Sequence, residues 1–574
     1  MKAVTSRVLV WGLLVFSCSL GASAATRLCS VYVESLAALQ KQIYLGAEAF
    51  QAPALGALPM LIAGGLPGAA QLDNNKPLAA HVFDTGDGET GIVVEAVPAA
   101  APEAYLQALA GGAALPEAKD GIYTLGGQAA KVAAGRVFFV PEKKHVSLLA
   151  DGVEKLSDMP AIPGVLRLTI YPAALAPKVK VFATNIPVTG TANAEEGRRV
   201  VEGITGFYAG LLEQLDAWHL GINVQTEGLF LRARLAPKAG SDLAALVASG
   251  KPVAPRQLAF IEKDAIFSYA SGPSKLPAGL ERQLTDLYGT MLASTLPKEE
   301  GVANEMAAII KQSLNLLGAP VAFSVGQPAA AGQSFRIGGF WELADPAGYL
   351  KLQVEQSKNP AIKKVTEQSG MVYAEPTVRE SQGLQILTFK LAFDDKLAEK
   401  NIREKMPAGL PPEVVDGAVK TNLETLRKIM PFINGYEYAA TAKELLFGMG
   451  AGQIETVAER LKAPPAASAE AARIEKLLAP SGDPTGIGRF SLNQILLIAL
   501  ADNPQLTGAL KALPAGDGIV FAGWSVGGEA LSATLIPASD IKAAVALGMA
   551  AQAAQGGGGR RNAPPARPPI PENF

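Results

Sequence analysis

Residues 217–247 constrain the fold more than any other stretch, because the same pattern is written again over residues 521–545. Both read as strand, glycine turn, alternating strand, proline and then a helix opened by Asp242 or Asp540. At a constant separation of three hundred residues, Gly228, Leu231, Ala233, Leu235 and Pro237 meet Gly528, Leu531, Ala533, Leu535 and Pro537. A repeat that long predicts a duplicated, domain-sized unit rather than a solenoid. Other matches follow in the same order. Pro102-Glu103-Ala104-Tyr105-Leu106 is echoed by Pro346-Ala347-Gly348-Tyr349-Leu350, and 164–170 by 486–492.

Alternating apolar runs separated by Gly, Asp and Pro turns predict strands over 28–33, 77–83, 91–97, 121–125, 136–140, 145–150 and 165–171. Helical spacing predicts helices over 35–50, with Ser35 as cap, and over 195–215. A proline-containing joint at 251–255 leads to a similar order of elements. Strands are expected over 265–270, 320–325, 334–341, 371–378, 384–393, 436–440, 444–448 and 486–492. Helices are expected over 279–296 and 302–317. Residues 396–430 read as a helical insertion whose second helix buries Val415, Val419, Leu423, Leu426 and Met430. The expected fold is α+β, with two tandem units over 25–252 and 253–552, each an antiparallel sheet with helices packed on one side.

The two ends differ from this body. Lys2 and Arg7, the apolar run 8–16 and Ala22-Ser23-Ala24 predict a secretory signal over 1–24. The run is too short to span a bilayer. Cys18 offers a lipoprotein alternative, although Phe16 is bulky for that site. The expected location is therefore periplasmic or extracellular. With the signal removed, Cys29 is the single cysteine, so the fold must stand without an internal disulfide. The glycines, arginines and prolines of 553–574 predict a disordered tail. The 51 Lys and Arg against 53 Asp and Glu, with no basic block in the body of the chain, argue against nucleic acid as a partner.

Several motifs look chemical. Gly523-Trp524-Ser525-Val526-Gly527 fits the nucleophile elbow, but that chemistry needs a strand-to-helix turn and a later histidine, and the last histidine is His219. Asp84-Thr85-Gly86 fits an aspartic-protease turn, but no second such turn supplies the partner carboxylate. Asp84, Asp87 and Glu89 lack the spacing of a calcium loop. Gly448-Met449-Gly450-Ala451-Gly452 lacks the third glycine of a dinucleotide fingerprint. His81, His145 and His219 are too dispersed to form a metal motif. Trp218, Trp341 and Trp524 flank strands and read as core.

Residues 49–72 carry no charge, which predicts short turns packed on a core or an apolar lip for a lipid. The expected function is a non-enzymatic binding or scaffold protein of the cell envelope or exterior, with no cofactor or metal. Its partner is expected to be an apolar ligand or an envelope protein. The alternatives are a hydrolase using Ser525 or Asp84, or a carrier of a lipid.

Overall fold

The computed structural model describes residues 25–556 except 60–67, 87–88, 151, 185–193, 296–308, 310, 312, 315, 329–334, 369, 407–409, 434, 464–465, 479–481, 501–502 and 513–515. The expected signal, and the expected tail from residue 557 on, lie outside the described residues. A helix, Ala538–Gly556, takes in the first four positions read as tail.

The first half of the chain supplies β1 (Thr26–Val33), β2 (Leu78–Asp84), β3 (Thr90–Ala96), β4 (Ile122–Leu125), β5 (Gln128–Ala133), β6 (Arg136–Val140), β7 (Leu166–Ile170), β8 (Leu215–Gln225) and β9 (Gly228–Pro237). Next come β10 (Phe267–Ser271), β11 (Val321–Gly326), β12 (Arg336–Glu342), β13 (Met371–Tyr373), β14 (Thr377–Ser381), β15 (Leu384–Phe389) and β16 (Leu391–Phe393). The chain closes with β17 (Tyr436–Ala440), β18 (Glu444–Met449), β19 (Gly486–Phe490), β20 (Ile519–Val526) and β21 (Glu529–Pro537).

Strands β13 and β16 pair only with each other. All the others join one antiparallel sheet of 19 strands. Its order is β4-β5-β6-β3-β2-β1-β7-β8-β9-β21-β20-β19-β10-β11-β12-β18-β17-β15-β14. The protein is thus mixed helix and strand around a single large sheet, not two separate sheets. The seam is β9 against β21, from Gly228 opposite Pro537 to Leu235 opposite Ala530. Arg234 clamps it with a two-pronged ion pair to Glu529, at 2.6 and 2.7 Å.

Outward from that seam the two flanks run in the same strand order, and the helices opened by Pro102 and Pro346 follow equivalent strands, but the residue matches between 217–247 and 521–545 do not hold. The β8–β9 hairpin turns between Gln225 and Gly228, and the β20–β21 hairpin between Val526 and Glu529. By hairpin position Gly228 therefore corresponds to Glu529, not Gly528. In the seam Leu231 pairs with Thr534, and Arg234 with Leu531. Paired residues share a face, and residues three apart on a strand face opposite ways. Leu231 and Leu531 are consequently on opposite faces, a one-residue slip of the kind that inverts every side chain. The alignment does not establish a duplication.

Helices and turns cover both faces, not one. Adjacent Val93 and Val94 on β3 divide two cores. Val93 packs with Phe138, Leu149 and Val153, while Val94 packs with Phe139 and with Tyr105 and Leu106 of the helix Pro102–Leu109. The largest cluster joins Ile487, Ala522 and Phe340 to Ile454 and Val457 of the helix Gln453–Lys462, and to Ile474 of the helix Ala469–Leu478. Phe230 of β9 belongs to this cluster, so it crosses the 252/253 joint.

Several local expectations fail: residues 371–378 and 384–393 each break into two strands, β13 with β14 and β15 with β16, that belong to different sheets. Residues 143–149 form 3-10 turns instead of a strand, and β5 takes the place beside β6. The turns begin just after Pro141, whose ring supplies no N–H for a ladder. The helix Pro412–Ile433 forms, but of its stripe only Val419 is buried; Val415, Leu423 and Leu426 are half-exposed, and the Met430 side chain lies outside the described residues.

Candidate functional site

Period-2 alternation brings polar residues from distant parts of the chain into one row across the sheet. Ser30 on β1 lies opposite His81 on β2 and Thr169 on β7, and Thr169 lies opposite His219 on β8. His219 in turn pairs with Arg234, the residue that clamps Glu529. Hydrogen bonds follow the row: His81 Nδ1 to Ser30 Oγ at 2.9 Å, and His219 Nδ1 to Thr169 Oγ1 at 3.0 Å. At its inner end His81 Nε2 stands 3.5 Å from Glu95 Oε2, and Arg136 binds the other carboxylate oxygen. The Tyr32 ring meets His81 edge-on, 5.6 Å between centroids.

The electrostatics assign the proton. Burial disfavours the charged imidazole and lowers the His81 pKa, against the pull of Glu95. Burial alone would raise Glu95; its hydrogen-bonding neighbours His81 and Ser157, and the Arg136 charge, outweigh that and hold it below the usual carboxylate range. A neutral His81 facing an ionised Glu95 carries its proton on Nε2 and accepts from the Ser30 hydroxyl on Nδ1. The order hydroxyl, imidazole, carboxylate has the polarity that activates a nucleophile, but at 3.5 Å His81 Nε2 and Glu95 Oε2 fall short of a hydrogen bond. No substrate can reach it, however: Ser30 and His81 are 0% exposed and Glu95 1%. It is a polar core.

The residues singled out from sequence do not converge. Ser525 lies inside β20 opposite Ala530, in a strand-to-strand hairpin without the sharp turn of a nucleophile elbow. Gly250 backs onto its hydroxyl, where a Cβ would come within 3.0 Å. Asp84, at the end of β2, forms a buried ion pair with Lys178 Nζ at 2.7 Å and accepts from the Gly86 N–H at 3.2 Å. Glu89 pairs with Lys144 and stands 3.9 Å from His145, while Asp87 lies outside the described residues. Among the described residues no group of three or more His, Cys, Asp or Glu could hold a metal. Gly450 and Gly452 take positive φ in a turn before the helix Gln453–Lys462. Trp524 is buried and donates to Gly482 O at 2.9 Å. Trp218 and Trp341 are half-buried, Trp341 stacking 4.1 Å from Phe447.

An apolar groove occupies the opposite face of the same strands. The helix Leu36–Ala49 starts at Ser35, whose hydroxyl accepts from the Ala38 N–H at 3.0 Å. It places Leu39, Ile43 and Gly46 at helical spacing toward the sheet. Gly46 faces the sheet at ordinary packing distance: a Cβ there would stand 3.7 Å from Val224 and 3.3 Å from the Phe50 ring at the helix end. Between helix and sheet lies a cavity of about 160 Å³. Leu166, Ile222 and Val224 form its floor; Leu39, Ile43, Phe50, Leu55 and Leu58 form its walls.

Gln42 is the one polar side chain of this lining, and its amide oxygen is already taken by the Val224 N–H. The cavity therefore favours an apolar occupant. Leu55 and Leu58 come from the uncharged stretch 49–72, of which 60–67 lie outside the described residues. The floor was not legible in sequence, because β7 and β8 reach it only through long-range pairing; the uncharged run was the one available signal. Among the described residues no helix is long and apolar enough to cross a membrane. No family model, curated protein or solved structure matches the chain.

Proposed function

We infer that this is an exported, non-enzymatic binding protein that holds an apolar chain or ring in the groove beneath the helix Leu36–Ala49. The observation that carries this reading is the cavity lined by Leu, Ile, Val and Phe side chains whose lone polar neighbour is already hydrogen-bonded. Its volume equals about five waters, or a short length of acyl chain. Each methylene it buries contributes about 0.8 kcal/mol. The buried polar row around His81, the ion-paired Asp84 and the hairpin position of Ser525 favour binding over hydrolysis. Export rests on the basic and apolar start of the chain. The common strand order of the two flanks favours an ancient duplication whose residue-level traces have drifted.

Titration with a dansyl-labelled fatty acid tests the groove. Wild type is expected to enhance dansyl fluorescence, and Ile43→Trp, which fills the cavity, to weaken binding at least about tenfold. The unliganded melting temperature of the variant should stay near that of wild type. Equal binding by both proteins, or none by wild type, overturns the reading.

A further inference from the structure

A second cavity lies on the other face of the sheet, in the other flank, and its chemistry is the opposite of the groove's. It measures about 230 Å³ and opens between β11, β12 and the helix Gln453–Lys462. The sheet explains why it exists. Outward from buried Ser30 the paired positions are His81 and Val93, both fully buried. Outward from buried Ser268 they are Ser324 and Gly338, so two large side chains give way to a hydroxyl and a hydrogen. A Cβ on Gly338 would come within 3.0 Å of Val457 and 3.4 Å of Gln453, into this space.

The charges around it are unequal. Glu262 and Arg460 both line it and are committed to each other at 2.5 Å, with Arg460 over the Phe260 ring, 4.7 Å from its centroid. Arg336 also lines the cavity, but its Nε donates only to a backbone carbonyl, Gln327 O, at 2.9 Å. Among the described residues no carboxylate is within ion-pair distance of Arg336. A guanidinium braced through Nε still has its terminal N–H groups for a two-pronged contact with an oxyanion. Phe260 and Val457 offer apolar surface beside it, and Ser324 and Gln453 offer polar side chains.

We propose that this cavity binds a small organic anion, its carboxylate held by Arg336 and its body lying against Phe260 and Val457. The volume is below that of drug-sized sites and suits a metabolite of a few carbons. The site shares no residue with the apolar groove, so either can fail alone.

Isothermal titration of the full chain with succinate, with inorganic phosphate and with uncharged succinamide tests the proposal. Succinate is expected to bind in the millimolar range or tighter and succinamide not at all. Arg336→Gln should weaken succinate at least tenfold, Arg336→Lys less, and Gly338→Val should abolish binding by filling the space. Each variant is accepted only with a cooperative melt, and Gly338→Val decides the matter if Arg336→Gln does not fold. Phosphate binding with no succinate binding, equal binding of succinate and succinamide, unchanged affinity in the folded variants, or no binding at all overturns it.

Discussion

At the scale of single residues, His81 couples stability to pH. Its pKa is lowered by burial in the fold, so the unfolded chain takes up the proton first. The stability it secures is complete above the unfolded value, about 6.5. It is lost as pH falls from there toward the lowered folded value, at up to about 1.4 kcal/mol per pH unit. Glu95, whose folded pKa is also lowered, adds a loss of the same sign that begins only below its ordinary value. Denaturant unfolding should therefore show falling stability in the window below about pH 6.5. His81→Gln should flatten that window at a lower overall stability; half-exposed His219, lowered by burial and Arg234, retains a smaller share. None of this row was legible in the sequence. Ser30, His81 and Thr169 each look like an ordinary polar position in an apolar strand until register aligns them.

At the scale of elements, local chemistry was the most legible part. Ser35 has the sequence position of a cap and is one. Ser35→Ala should cost about 1 kcal/mol by denaturant unfolding, since it frees an N–H at the helix start that holds the groove's wall. Hairpins with glycine turns were also readable, as in β8–β9 and β20–β21. Register was not: Leu and Ala are frequent enough here that an alignment one residue out still looks good, although it reverses the faces. Residues 145–150 alternate like a strand, but Pro141 interrupts the ladder ahead of them and 3-10 turns follow. The Arg234–Glu529 pair at the seam is about a third exposed on the arginine side. A double-mutant cycle with Arg234→Gln and Glu529→Gln should accordingly give a coupling of no more than about 1 kcal/mol. The seam is held chiefly by its ladder and by buried neighbours.

At the scale of the molecule, one sheet carries two unlike cavities on opposite faces. Continuity through β9 and β21 means that a core residue contributed by one flank stabilises the other. Phe230→Ala, which empties a site shared with Val253, Leu258 and Trp524, should cost about 3–5 kcal/mol. Tryptophan fluorescence, which reports on Trp218 in the first flank and on Trp341 and Trp524 in the second, should change in a single transition. Two transitions, with only the second flank affected, would contradict the single sheet.

The groove under the helix Leu36–Ala49 is expected to hold an apolar ligand in the protein as its host makes it. Native mass spectrometry of the protein purified from its own host, followed by solvent extraction, measures this directly. The expected result is a bound apolar mass that organic solvent releases and that Ile43→Trp protein does not carry. A bare polypeptide mass from wild type, or the same adduct on wild type and Ile43→Trp, would contradict it.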